Sequence, residues 1–468
     1  MRVNRLMVMA GVVVAGAVAI VAAQQGGQQA QAPAPAPDFA QVLVDRLDLE
    51  RYKATIKGLT QFGDRREGTQ RNRDAVTWIE AQLKSYGCVT ERMTYEPPAG
   101  RGGGGNRGGG AAAAGGGAAG AAGAAGGRAA AGGGAAAGGG AAGGGAAARA
   151  GGGGQAGAAQ GQQAAAGRGR GGTILTEPRR GREGGSTHYG ITRGAGVNST
   201  ADNQPNEALR ALNMGPVLPE PIPQVFCTKY GTTRANEMYI IGGHMDGIGY
   251  GEAANDDASG SAIVMELARI FSMPDVTTDV SIRFALWNGE EGGLRGANAY
   301  VAQRLQTQGR VDNNNPNRYP EPRWLGMIQH DMMMWDHGMP RADGTLNPEQ
   351  RPEADFNVEW QSTAHQAEGA MKLALAVKLA ADKYSKNYPG TLGPHMTNTD
   401  SGPFMNWIPA ISMRENERGM HTGAGWNPHW HQPTDLYATF SDKDFTLGLN
   451  SAQATLGAIA QLVGAKVK

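Results

Sequence analysis

Cysteine is nearly absent: Cys88 and Cys227 are the only two in 468 residues. No Cys-x-x-Cys pair exists, so thiolate zinc sites are excluded by spacing. The even count permits one disulfide in an oxidising compartment, and two buried free thiols are the other reading. Net charge is scarce as well. The formal value is +1, so no global field points to nucleic acid, and no nucleic-acid partner is expected. The apolar run from Leu6 to Val21 is short for a bilayer span, and no Cys follows it to accept a lipid. From Ala99 to Gly172 both acids and large apolar side chains are missing, which leaves that stretch nothing to bury.

What is present divides the chain. Arg2 and Arg5 precede the Leu6–Val21 run, and Val21-Ala22-Ala23 offers small residues for cleavage before Gln24. Residues 1–23 therefore read as a secretory signal, with a secreted or periplasmic product and no stable membrane insertion after cleavage. Removing Arg2 and Arg5 shifts the balance from 43 − 42 to 41 − 42, close to neutral. Residues 24–37 are rich in Gln, Ala and Pro and read as a tether. Residues 38–98 read as the first part of a folded domain, and 99–172 are a Gly/Ala-rich insertion. Six arginines, Arg101, Arg107, Arg128, Arg149, Arg168 and Arg170, keep that insertion soluble. It is expected to be disordered and dispensable for folding, because Gly opposes helix and closure entropy grows slowly with length. Residues 173–468 complete the domain, with 173–224 irregular.

Periodicity predicts two helical pieces between Asp38 and Gly87. Ala75, Val76, Ile79 and Leu83 make an apolar face, and Gly87 supplies a stop. Cys88 to Tyr95 reads as a strand. After Val225, strands and helices alternate: strands over Met238–Ile241, Val280–Trp287 and Trp324–Gln329, and helices over Ser259–Phe271, Ala364–Tyr384 and Phe445–Val467. This order predicts an α/β fold with a mixed, mostly parallel central sheet and helices on both faces.

Five short stretches carry the chemistry: Gly243-His244-Met245-Asp246, Ala254 to Gly260, Trp287 to Leu294, His330-Asp331-Met332, and Asn427 to Asp435. His244 follows an apolar strand, and Asp246 is placed to orient its imidazole. Asp256, at a helix start, can cap that helix or bridge two cations. Glu290 and Glu291 end a buried strand. Adjacent carboxylates there are costly unless a cation or proton compensates them. Their side chains diverge, so one can bind metal while the other faces water. Asp331 also ends an apolar strand. His431 lies in a loop with His429 and His421 nearby, so spacing alone does not choose among the three.

Together these stretches resemble the co-catalytic zinc peptidases of metallopeptidase family 28, over about residues 40–98 and 225–465. The resemblance implies two zinc ions, with Asp256 bridging them. His244 and Asp331 would complete one ion, Glu291 and His431 the other, and Glu290 would be the general base. It also implies a cis Asp256–Asp257 peptide and selects His431 over His429. Thr399-Asp400-Ser401-Gly402-Pro403-Phe404 is similar to a family Ser-Asp-His-x-x-Phe loop but lacks its His. The implied activity is an exopeptidase acting on peptides with a free N-terminus. A carboxypeptidase would need an arginine receptor, for which Arg295 and Arg414 are the candidates. A single-zinc glutaminyl cyclase and an inactive binding ectodomain are the alternatives. The oligomeric state is not legible.

Overall fold

From residue 222 onward, pairs of consecutive strands are separated by single α-helices. The computed structural model describes residues 37–97, 197–311, 321–338, 347–394, 396, 399–415 and 427–468. The signal at 1–23, all but the last residue of the tether and the Gly/Ala tract lie outside the described residues. Phe39 to Lys468 forms one body. Its helices are α1 (Phe39–Val44), α2 (Leu49–Thr60), α3 (Gln70–Ser85), α4 (Glu207–Asn213), α5 (Ala258–Phe271), α6 (Arg295–Arg304), α7 (Ala367–Tyr384) and α8 (Asp442–Leu462). Its strands are β1 (Val89–Tyr95), β2 (Ile222–Lys229), β3 (Arg234–His244), β4 (Val276–Thr277), β5 (Val280–Trp287), β6 (Arg323–His330), β7 (Phe356–Trp360), β8 (Gly390–Gly393), β9 (Ala410–Arg414) and β10 (Lys466–Val467). No helix among the described residues is long and apolar enough to cross a membrane.

Eight strands form one sheet in the order β1-β2-β5-β3-β6-β9-β7-β8. Its centre, β5-β3-β6-β9, is parallel, while the β1/β2, β2/β5 and β7/β9 pairs are antiparallel. β5 is buried along its whole length, as expected of a parallel strand covered on both faces. Successive residues point to opposite faces, so Ile241 joins one core and Ile240 the other. The larger core lies under α1, α2, α3, α5, α7 and α8. The smaller is closed by Ala297, Tyr300 and Val301 of α6, with Phe404 and Ile408. α5 is buried on all sides, between the sheet and α2 and α8.

Local signals account for most boundaries. Asp48 caps α2 by accepting from the Arg51 N–H at 2.9 Å, and Thr69 caps α3. Gly87 stops α3 at φ +82°, a conformation glycine adopts without penalty. Three expectations are corrected. The region 38–87 holds three helices, not two. The last helix ends at Leu462, where Gly464 at φ +62° turns the chain into β10. The segment 173–224 is not wholly irregular: α4 lies within it, capped by Asn206, and β2 begins there. Cys88 and Cys227 are joined by a disulfide that ties the start of β1 to β2.

Candidate metal centre

The parallel strands β5, β3 and β6 are neighbours, and their C-terminal ends deliver three of the five candidate ligands to one point, as open α/β sheets do. His244 is the last residue of β3, Asp331 follows β6, and Glu290 and Glu291 follow β5. Asp256 comes from the turn before α5. His431 comes from an irregular loop. The Asp256 carboxylate faces both histidines: Oδ1 lies 3.2 Å from His244 Nε2 and Oδ2 lies 3.0 Å from His431 Nε2. Asp331 Oδ1 is 3.6 Å from His244 Nε2, and Glu291 Oε2 is 2.8 Å from His431 Nε2. Two sets result, His244/Asp256/Asp331 and Asp256/Glu291/His431, each with ligand atoms within 4.8 Å of one another. Asp256 belongs to both.

A second layer holds these residues. The Asp257 carboxylate accepts from three backbone N–H groups: His244 at 3.0 Å, Gly260 at 2.8 Å and Met332 at 3.1 Å. It thus pins the ends of β3 and β6 to the start of α5. The Asp256–Asp257 peptide is cis. Asp435 accepts from the N–H groups of Asn255 at 2.8 Å and Asp256 at 3.1 Å. Asp331 Oδ2 accepts from Arg414 Nη2 at 2.8 Å. Asp246 differs from expectation. The His244 Nδ1 partner is the Asp246 carbonyl oxygen at 2.9 Å, while the carboxylate stands 3.9 Å away. Asp246 Oδ1 instead accepts from the Glu290 N–H at 3.2 Å, so this residue braces both His244 and the base candidate.

Charge is concentrated and buried at this point. His244, Asp256, Asp331, Glu290 and His431 are all at most 9% exposed. Burial raises the Glu290 pKa well above the ordinary carboxylate range, and the acids Asp331, Glu291 and Asp400 add to it. Glu291 is raised by burial and by Asp256. Burial alone would raise Asp256 too, but His244 and His431 outweigh it and hold its carboxyl well below the usual range. Four ligand-set atoms, His244 Nε2, Asp256 Oδ2, Glu291 Oε1 and His431 Nδ1, are buried without a hydrogen-bond partner. Buried polar atoms left in this state are expensive. Three of them, together with the near contacts between imidazole and carboxylate, suit divalent cations with nitrogen and oxygen ligands.

Residues 225–450 match the family model described as Peptidase family M28. That stretch contains all five ligand candidates and Glu290. Over that stretch the chain is similar to this peptidase family. Among known proteins that the chain resembles, leupeptin-inactivating enzyme 1 of Streptomyces exfoliatus is 38% identical over 66 residues, 14% of this chain and 15% of that protein. Aminopeptidase YwaD of Bacillus subtilis is 34% identical over 65 residues, 14% of each chain. The matches thus span about one seventh of those relatives' own lengths. A solved structure of a zinc aminopeptidase from Bacillus subtilis aligns with TM-score 0.49 at 12% identity, covering 89% of this chain and 95% of that one. A glutaminyl cyclase from Fimbriiglobus ruber aligns with TM-score 0.47 at 13% identity, covering 88% and 95%.

Within the M28 region the structure separates the histidines. His429 turns away from the ligand sets, to Thr434 Oγ1 at 2.8 Å and the edge of Trp335. His421 lies outside the described residues. The two arginine candidates are both engaged by acids: Arg414 by Asp331, and Arg295 by Glu67. Sequence reasoning missed Asp435 as the brace of Asp256, although its fixed offset from His431 was visible. It also missed Arg65, fully buried at φ +50°, which donates to the carbonyls of Met245 at 2.7 Å, Glu252 at 2.8 Å and Ala253 at 2.8 Å. No sequence pattern marks that role.

Proposed function

We propose that this chain is an exported di-zinc exopeptidase that removes N-terminal residues from peptides. The observation that carries the reading is the shared Asp256 carboxylate, one oxygen toward His244 and the other toward His431. A bridging ligand between two three-residue sets is the arrangement two-metal hydrolysis uses. His244, Asp256 and Asp331 would hold one zinc, and Asp256, Glu291 and His431 the other. When bound, the ions would supply an activated water and polarise the scissile carbonyl. Glu290 is the residue of this chain that moves the proton. Its place just after β5, next to the ligand Glu291, suits a base that takes a proton from water and returns it to the departing amine. The Asp246 carboxylate holds the Glu290 backbone while this happens.

The choice of peptide end rests on charge. Glu290, Asp331 and Asp256 bring acids to the reacting centre, which favours a free α-ammonium there. Arg295 and Arg414, the candidates for a C-terminal carboxylate receptor, already serve Glu67 and Asp331. Acetylating the N-terminus of a short peptide should abolish cleavage, and amidating its C-terminus should not. The reverse pattern would assign a carboxypeptidase. Metal analysis checks the rest: two ions per chain support this reading, one ion supports a glutaminyl cyclase, and none supports a binding ectodomain.

A further inference from the structure

His431 is the one candidate ligand supplied neither by a strand end of the central sheet nor by the turn into α5. Its loop runs without regular structure from Asn427 to Leu436. His431 itself sits at φ +55°, in the left-handed region that non-glycine residues rarely adopt. Something outside the loop must hold it there.

We propose that the strap Val197–Asn213 is the device that positions His431, with the Gln204 carboxamide as its fastening point. This rests on the two-metal reading above. Gln204 is 1% exposed. Its Nε2 donates to the Tyr250 carbonyl at 2.8 Å and to the Pro433 carbonyl at 3.0 Å. Its Oε1 accepts from the Asn206 N–H at 3.0 Å, which fixes the orientation of the amide. One NH2 group therefore joins the loop that follows His244 to the loop that carries His431. Asn198 makes a parallel tie: its backbone N–H donates to the His431 carbonyl at 3.0 Å, and its Nδ2 to the Gly249 carbonyl at 3.0 Å. Asn213 closes the strap by donating to the Gly251 carbonyl at 2.8 Å.

The pattern of acceptors is specific. Gly249, Tyr250 and His431 have φ of +96°, +67° and +55°. Three of the strap's bonds thus go to carbonyls of residues in left-handed conformations. The loops touch there: a Cβ added at Gly249 would collide with the His431 backbone. A clamp placed on strained backbone at a contact between two ligand-bearing loops fixes the distance between them. That distance decides whether His431 meets Asp256 and Glu291. Gln204 touches no reacting atom, so it is a positioning residue.

The test uses the full chain, stripped of metal by chelation and titrated with Zn2+ alone, with Co2+ absorption as a second readout. Gln204→Met removes both donors at similar size. Gln204→Glu keeps the acceptor for Asn206 but sets a carboxylate against two carbonyls. Wild-type protein is expected to bind two ions. Both variants should retain one ion with unchanged affinity and bind the other about tenfold more weakly or worse, the range seen when groups supporting metal ligands are removed. The Co2+ spectrum should change only in the band of the weaker ion. Two ions at wild-type affinity in both variants would overturn the proposal, as would equal weakening of both ions, which marks general loosening. Should the Gln204 variants fail to fold, Asn198→Ala, which loses only side-chain bonds, is judged by the same criteria. A wild-type protein that binds fewer than two ions would overturn the two-metal reading instead.

Discussion

Glutamine at position 290 separates the roles of two adjacent carboxylates. Glu290→Gln keeps side-chain size, and the residue's N–H can still donate to Asp246 Oδ1, now at 3.2 Å, so the end of β5 should stay in place. What disappears is a proton acceptor whose pKa burial and three nearby acids have raised. Loss of a positioned general base costs about 10²- to 10⁴-fold in rate. At 1.36 kcal/mol per tenfold, that is about 3–5 kcal/mol of barrier. Glu291→Gln removes something else. Glu291 Oε2 lies 2.8 Å from His431 Nε2, within one ligand set, so a neutral amide there should release one ion. The assay is kcat/KM on a peptide with a free N-terminus, paired with metal content per chain. The expected result is two ions and at least about a hundredfold loss for Glu290→Gln, and a lost ion for Glu291→Gln. Near-normal turnover of Glu290→Gln, or loss of its metal, would refute the assignment.

Free-thiol titration of denatured, unreduced protein should find none. The double replacement Cys88→Ala/Cys227→Ala should lower stability by up to about 5 kcal/mol in the chain-entropy model, given a sequence separation of 139, measured by urea unfolding. Asp257→Ala strips the acceptor from three buried N–H groups and should cost about 3 kcal/mol or more in the same measurement. The metal-free protein should lose stability as pH rises. Burial lifts Asp435 from 3.8 to about 7, so between those values the folded state holds a proton that the unfolded state has released, and folding weakens across that window. His431 is raised above its ordinary 6.5 because Glu291 and Asp256 outweigh burial, so its contribution is present below 6.5 and fades at higher pH. Melting temperatures after chelation, compared at pH 5.5 and 8.5, check the sign; a higher value at pH 8.5 contradicts it.

Much of the centre was legible because its ligands follow apolar runs. Val280–Trp287 reads as a strand end to end, and Glu290 and Glu291 stand out against it as charges that burial alone would not tolerate. His244 and Asp331 are found the same way. His431 was not, since its loop has no periodicity, and only the resemblance chose it over His429. The strap was invisible for a related reason. Asn198, Gln204 and Asn213 bond to carbonyl groups, and a carbonyl's direction is set by tertiary backbone geometry that no residue spacing encodes. Arg65 belongs with them: a buried guanidinium satisfied by main chain leaves no complementary acid to signal it. The third N-terminal helix was overlooked because α1 is only six residues long, too short for a periodic signal.

The Cys88–Cys227 bridge has a consequence for how this chain can vary. It makes residues 88–227 a covalent ring, and the ring persists when the protein unfolds in oxidising surroundings. The segment between β1 and the strap lies wholly inside it. Closing a longer loop ordinarily costs about 0.6 kcal/mol per doubling. Here the loop is closed in both states, so that cost cancels from the folding equilibrium. The number of residues between Tyr95 and Val197 is then thermodynamically neutral while the bridge holds, and becomes a charge on stability only once it is reduced. Tracts of very different length could drift in and out at this place among related chains, with the sheet edge and the metal centre unchanged.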